Sequence, residues 1–265
     1  MHTNRIGVQI ITRDRIEYLA SLLISLRNQT IKNWDLIIID NSDVPIVNHH
    51  LIQAIFSRLE FEGHRIKYIQ ASVRDIGALR NIALDNDDNE FGCRIDDDGI
   101  LEPDYLELLL SVFQKEENAG CVGGIVPYLF YEKLYKPLPK DFNIISEFFD
   151  TKDDSVWFYN VPRETYVKAD HIRSTMMYRN EVAKGIRHPE GFGMTGFREE
   201  TVFSYAFIKN RKLQNYYVPN AVCWHVVAPK GGGREGQDME QIKWENDLKM
   251  KEIFKSWQNQ DLKIQ

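Results

Sequence analysis

An α/β fold, with a mostly parallel sheet and helices on its faces, is predicted by three features of the sequence. Short apolar strands alternate with segments whose apolar residues recur at helical spacing. Polar clusters stand where the strands end, at Thr12-Arg13-Asp14, Asp40-Asn41-Ser42-Asp43 and Asp96-Asp97-Asp98. The chain has 265 residues, of which 43% are hydrophobic and 27% charged, enough for a full core. In doubly wound sheets ligands bind outside the carboxyl ends of the strands, so the three clusters are expected to share one crevice.

The first strand is read at Ile6–Ile11, followed by a helix carrying Tyr18, Leu19, Leu22, Leu23 and Leu26 on one face, then by a second strand at Leu36–Ile39. That order is a βαβ unit with a right-handed crossover. Further strands are predicted at Arg65–Gln70, Phe91–Ile95 and Gly120–Val126, and helices at Ile76–Leu84 and Pro103–Glu116. From Pro127 to Arg179 the alternation stops, in a stretch rich in Tyr, Phe, Trp and Lys that gives no clear element. A helix at Glu199–Asn210 and a strand at Ala221–Val227 follow. Pro229–Gly236, with three consecutive glycines, reads as a mobile loop, and Asp238–Trp257 as a helix with Met250, Ile253, Phe254 and Trp257 on one face.

A formal net charge of −6 lacks the basic balance that drives nonspecific nucleic-acid binding, so nucleic acid is not an expected partner. The three cysteines, Cys93, Cys121 and Cys223, are far apart in apolar runs, which suggests neither disulfides nor a zinc site. His64, His171 and His188 carry no zinc spacing either. No apolar run approaches the roughly 20 residues of a membrane span, and Met1–Arg5 does not lead into a signal-peptide core. The expected location is the reducing cytoplasm.

Chemistry concentrates in Arg94-Ile95-Asp96-Asp97-Asp98-Gly99, where three adjacent carboxylates end a buried strand. Hard oxygen ligands suit Mg²⁺ or Mn²⁺, which proteins hold with one or two carboxylates while substrate phosphates complete the shell. A metal-bridged diphosphate is the functional reading; a solvated acidic turn is the bland one.

Taken in order, several segments resemble the family 2 glycosyltransferases, inverting enzymes with the GT-A fold. They are Val8-Gln9-Ile10-Ile11-Thr12-Arg13-Asp14-Arg15, Ile37-Ile38-Ile39-Asp40-Asn41-Ser42-Asp43, Gly77-Ala78-Leu79-Arg80-Asn81, Arg94–Asp98, Gly193-Met194-Thr195-Gly196-Phe197-Arg198-Glu199-Glu200 and Val222-Cys223-Trp224-His225. The resemblance spans about Ile6 to Ala228. It implies a Rossmann-like sheet, with residues 1–126 as a nucleotide-sugar half, 127–236 as an acceptor half and 237–265 as a C-terminal helix, all in one domain.

The resemblance also implies roles. Thr12, Arg13, Asp14, Asp40 and Arg80 would line the nucleotide. Asp96 and Asp98 form an Asp-x-Asp motif, with Asp98 the direct metal ligand and Asp96 or Asp97 reaching the ribose, or the metal through water. His225 would add an imidazole to the metal. Glu199-Glu200 stands where the family places its general base; Glu200 is the first choice, although the family usually has Asp there, so Glu199 stays open. Trp157, Phe158, Tyr159 and Tyr166 would stack on a sugar acceptor unless they belong to the core. The implied activity is hexosyl transfer from a nucleotide diphospho-sugar, a UDP-sugar first, to a glycan or glycolipid hydroxyl in surface polysaccharide or glycoconjugate synthesis, with peripheral contact at the inner membrane face left open. One rival is a sugar-1-phosphate nucleotidyltransferase, whose glycine-rich phosphate loop Thr12-Arg13-Asp14 lacks; another is a noncatalytic glycan-binding module on the same fold.

Overall fold

The computed structural model describes residues 4–129, 165–233 and 236–261. Trp157, Phe158 and Tyr159, with Arg234 and Glu235 of the glycine-rich stretch, lie outside these residues.

Strands β1 (Ile6–Thr12), β2 (Trp34–Asp40), β3 (Ile66–Gln70) and β4 (Phe91–Asp96) are linked by helices α1 (Ile16–Arg27), α2 (His50–Phe61) and α3 (Ile76–Asp85). They form one parallel run in the order β3-β2-β1-β4. Period-two alternation divides β2 between two cores: Leu36 and Ile38 pack with α1, whereas Ile37 and Ile39 pack with Leu79 and Ala83 of α3. Helix α1 buries Leu19, Leu22, Leu23 and Leu26, each worth about 1.5–3 kcal/mol of transfer free energy. Helix α2 had no expectation in the sequence. Only Ile52 and Leu59 are buried along its length, too sparse a stripe to stand out.

Beyond β4 the chain continues through β5 (Gly99–Leu101), α4 (Tyr105–Lys115), β6 (Ala119–Ile125), β7 (Val167–Ala169), β8 (Met176–Arg179), α5 (Asn180–Ile186), α6 (Glu199–Arg211), β9 (Gln214–His225) and α7 (Met239–Asp261). The sheet is mixed rather than parallel throughout. Strand β8 lies between β4 and β6 and runs antiparallel to both, while β9 runs parallel to β6 and antiparallel to β5 and β7. Strand β9 begins seven residues earlier than its predicted start and ends at His225 rather than Val227. The predicted face of α7 is present: Met250 and Phe254 are buried against Phe192 and Val202, with Ile253 and Trp257 packed beside them.

Two pairings set the site. Parallel pairing places Asp96 beside Ile11 and Thr12 beside Asp40, so the polar ends of β1, β2 and β4 lie together. Antiparallel pairing of β5 with β9 sets His225 opposite Gly99, one residue from Asp98. Gly99 is required there, because a Cβ would stand 2.8 Å from the Cys223 sulfur.

Candidate active site

A cleft of about 190 Å³ opens over these strand ends and is lined by Thr12, Arg13, Arg80, Asp96, Asp97, Asp98, Glu200 and His225 among others. Eight of the predicted positions therefore converge. Asp96 accepts a hydrogen bond from Arg80 Nη2 at 3.1 Å and another from the Ser174 hydroxyl. Asp97 accepts from the Thr12 hydroxyl and from Arg15 Nη1, both at 2.9 Å. Asp98 Oδ2 lies 3.2 Å from His225 Nε2 and 3.4 Å from Arg15 Nη1, and accepts from the Ala228 backbone amide at 3.1 Å.

Burial alone would raise all three carboxyls, but the partners differ. For Asp96, the charges of Arg80 and Arg94 outweigh desolvation and hold the group well below the usual range. Hydrogen bonding and charge from His225 lower Asp98 in the same way. At Asp97 desolvation wins over Arg15, and the adjacent Asp98 charge adds to it, so this carboxyl is pushed up to about 6.

Four predicted residues lie elsewhere. Asp14, at a positive φ of 53°, borders an adjoining cleft of about 700 Å³ that also takes in Arg13, Arg74 and Gly232. Asp40 is fully buried, and its oxygens are occupied by the Ser42 and Ile46 backbone amides and the Tyr68 hydroxyl. It shapes the turn after β2; its neighbour Asn41 borders a recess of about 330 Å³ at the ends of β2 and β3. Tyr166 packs edge-on against Tyr216 and donates to Glu116, a place in the core rather than in the cleft.

Glu199, the fourth, is fully buried at the start of α6. Arg94 Nη1 contacts both its oxygens, at 2.9 and 3.2 Å, His188 Nδ1 lies 2.7 Å away, and Arg80 Nε 3.4 Å. Desolvation opposes ionisation, yet Arg94, His188 and Arg80 together bring the carboxyl down to about 2. Burial holds His188 at about 4 in spite of Glu199, so the ring is neutral at pH 7 and its Nδ1 carries the proton donated to Glu199. Glu200, the next residue, is half-buried, faces the cleft, and takes no ion pair or side-chain hydrogen bond from another described residue. Desolvation and the Glu199 charge raise its carboxyl above the ordinary value.

Sequence reasoning missed Arg15, Arg94, His188 and Ser174. Arg15 bridges Asp97 and Asp98 and also donates to the backbone carbonyls of Lys230 and Gly231, both at 3.2 Å. A signal for Arg94 existed: an arginine inside the buried strand Phe91-Gly92-Cys93-Arg94-Ile95 requires a buried anion, and Glu199 is that anion.

Among the described residues no group of three His, Cys, Asp or Glu side chains is arranged to hold a metal ion. Two donors do fit one. Cis ligands at ~2.1 Å from an octahedral cation are about 3 Å apart, which matches the 3.2 Å between Asp98 Oδ2 and His225 Nε2. A carboxylate with a neutral imidazole suits Mn²⁺, and ligand oxygens would complete the shell.

The sequence profile of glycosyl transferase family 2 matches residues 8–187. The putative glycosyltransferase EpsH of Bacillus subtilis is 25% identical over 174 residues, 64% of this chain and 43% of EpsH. Glycosyltransferase GlyA of Streptococcus pneumoniae is 24% identical over 146 residues, 51% of this chain and 20% of GlyA. The chain thus spans less than half the length of these relatives. Among solved structures, S. aureus TarS 1-349 in complex with UDP-GlcNAc superposes with a TM-score of 0.56 at 18% identity, covering 89% of this chain and 60% of that one. GalNAc-T7 with UDP, GalNAc and Mn²⁺ gives a TM-score of 0.65 at 12% identity, covering 96% and 50%. With the profile spanning more than half of its length and a GT-A fold shared with these structures, the chain belongs to glycosyl transferase family 2.

Proposed function

We propose that the protein is an inverting glycosyltransferase that moves a sugar from a nucleotide diphospho-sugar, a UDP-sugar in the first instance, to a hydroxyl acceptor. The observation that carries this reading is the sharing of one cleft by the Asp96–Asp98 run, His225 and the carboxyl of Glu200, which has no ion pair among the described residues. Solved structures of similar fold were determined with UDP-GlcNAc or with UDP and Mn²⁺, which supports a nucleotide-sugar donor and a divalent cation.

In this reading the donor diphosphate lies at the ends of β1 and β4. Asp98 and His225 would hold Mg²⁺ or Mn²⁺, which would offset the charge that builds on the leaving diphosphate. Arg80 faces the same charge. Glu200 accepts the proton of the acceptor hydroxyl as that oxygen bonds to the anomeric carbon, opposite the bond that breaks to the diphosphate. Thr12 and Arg15 keep Asp97 fixed, and Asp40 keeps the turn after β2 in shape for the nucleotide. Surface polysaccharide or glycoconjugate assembly at the cytoplasmic membrane face is the matching role. Among the described residues no helix is long and apolar enough to cross a membrane.

The test is turnover of UDP-sugars with Mn²⁺ and a saccharide acceptor, following UDP release and the anomeric configuration of the product by NMR. Inverted product is expected. Retained configuration would overturn the mechanism, and tight UDP binding without any transfer would identify a noncatalytic module.

A further inference from the structure

The cleft floor contains a cluster of four charges, of which the proposed reaction sets only Arg80 against the diphosphate. Asp96 and Glu199 face Arg80 and Arg94 in a chain of contacts: Asp96 to Arg80 at 3.1 Å, Arg80 to Glu199 at 3.4 Å, and Glu199 to Arg94 at 2.9 Å. All but Asp96 are buried, and the set is balanced at two negative and two positive charges. Arg94 and His188 would suffice to neutralise Glu199 and occupy its oxygens. Arg80 is nevertheless drawn in: its Nε approaches Glu199 closer than 4 Å without a true hydrogen bond, while Nη2 is fixed on Asp96. These two nitrogens form one edge of the guanidinium. Its remaining nitrogen, Nη1, has no partner among the described residues, and the side chain lines the cleft. A guanidinium anchored along one edge and open on the other is suited to receive a phosphate oxygen.

We propose that Glu199 is a positioning residue: its buried carboxylate holds Arg80 against Asp96, so that the free edge of the guanidinium faces the diphosphate of the donor. This rests on the functional reading above and removes Glu199 from the choice of general base, since its oxygens are occupied beneath the cleft. The anchoring is reinforced from the protein interior. Asn81, next to Arg80 on α3, exchanges two hydrogen bonds with the His188 backbone, and the His188 ring stacks on Phe203 of α6 at 3.7 Å. Helices α3 and α6 are thereby tied together at the point where Arg80 and Glu199 meet.

Glu199→Gln alone would leave Arg94 buried opposite a neutral amide and can unfold the chain, so the test uses the charge-balanced Glu199→Gln/Arg94→Met variant. Glu199→Asp, which keeps the charge and shortens the reach, serves as a second variant. UDP binding in the presence of Mn²⁺ is measured by calorimetry, and donor KM and kcat by transfer assay, for these variants, for Arg80→Gln and for the combination of Arg80→Gln with the balanced pair. Both Glu199 variants are expected to melt as cooperatively as the native protein, to bind UDP about tenfold more weakly, and to raise donor KM more than they lower kcat. The combination should bind no more weakly than Arg80→Gln alone, because Glu199 acts through Arg80. Native UDP affinity in either Glu199 variant, or losses that multiply to about a hundredfold in the combination, would overturn the proposal. If the native protein itself binds no UDP, the functional reading falls and takes this inference with it.

Discussion

At the end of β4 each of three carboxylates meets a cation or hydroxyl of the chain, whereas at the start of α6, among the described residues, one carboxylate takes three donors and its neighbour takes no side-chain donor. Both regions place like charges side by side in partly dry surroundings, where an uncompensated pair is costly. The first spreads the compensation over Arg80, Arg15 and His225, which keeps Asp96 and Asp98 ionised. The second gives it all to Glu199, and Glu200 is left with a raised carboxyl, the property a proton acceptor needs near neutral pH. Adjacent residues of one type are thus driven to opposite acidities by their partners alone.

The largest expected effect tests that division. Glu200→Gln keeps the shape but cannot accept a proton, so turnover should fall by about a hundredfold or more while UDP binding persists. As the proposed base, Glu200 must be ionised to act. Because burial and the Glu199 charge raise its carboxyl, activity should decline with falling pH through a limb above the ordinary glutamate value of about 4.3. A pH–rate profile with its acid limb at or below that value breaks the comparison, as would near-native turnover in Glu200→Gln.

Next in size is Asp98→Asn. The amide keeps the hydrogen-bond acceptor but loses the charge that offsets a cation, so Mn²⁺-dependent binding of UDP should weaken by between about tenfold and a hundredfold. Isothermal titration with and without Mn²⁺ measures it. Equal Mn²⁺ dependence in the variant would move the cation away from Asp98 and leave the end of β4 as a purely internal ion cluster.

The sequence made the parallel half of this molecule plain, because β1, α1, β2, α3 and β4 bury continuous apolar runs whose period identifies them. Strand β8 was hidden: Met176-Met177-Tyr178 is short, and its antiparallel place between β4 and β6 depends on pairings no local pattern encodes. In the site, residue type was legible but occupancy was not. Asp40 at a strand end looks identical in sequence whether it faces a nucleotide or closes on the amides of Ser42 and Ile46, as it does here. The same holds for Glu199 and Glu200, whose difference arises from Arg94 and His188, about a hundred residues before and eleven residues before Glu199 in the chain. Arg15 was passed over because a charged residue before a helix ordinarily points to solvent, yet here it reaches from the start of α1 to the acidic run.

The smallest expected effect concerns that arginine and the glycine-rich segment it holds. The sequence suggested a mobile loop; in the structure residues 229–233 are already laid against the strand ends. Gly232 donates to the Arg13 carbonyl at 2.9 Å, and Arg15 binds the carbonyls of Lys230 and Gly231. Gly231 has a φ of +72°, and a Cβ there would stand 2.7 Å from the Asp14 carbonyl oxygen, so only glycine permits the approach. Lys230 is exposed but Gly231 is buried, so trypsin cleavage after Lys230 reports opening of this contact. Arg15→Gln removes the charged donors and Gly231→Ala forces the backbone away. Each should speed cleavage about tenfold, equivalent to ~1.4 kcal/mol in the opening equilibrium. UDP with Mn²⁺ should slow cleavage of the native protein, and much less so in His225→Ala, if closure is tied to the cation through Asp98. Cleavage at equal rates with and without ligand would show that the segment is a fixed wall of the cleft, held by Arg15 alone and indifferent to the donor.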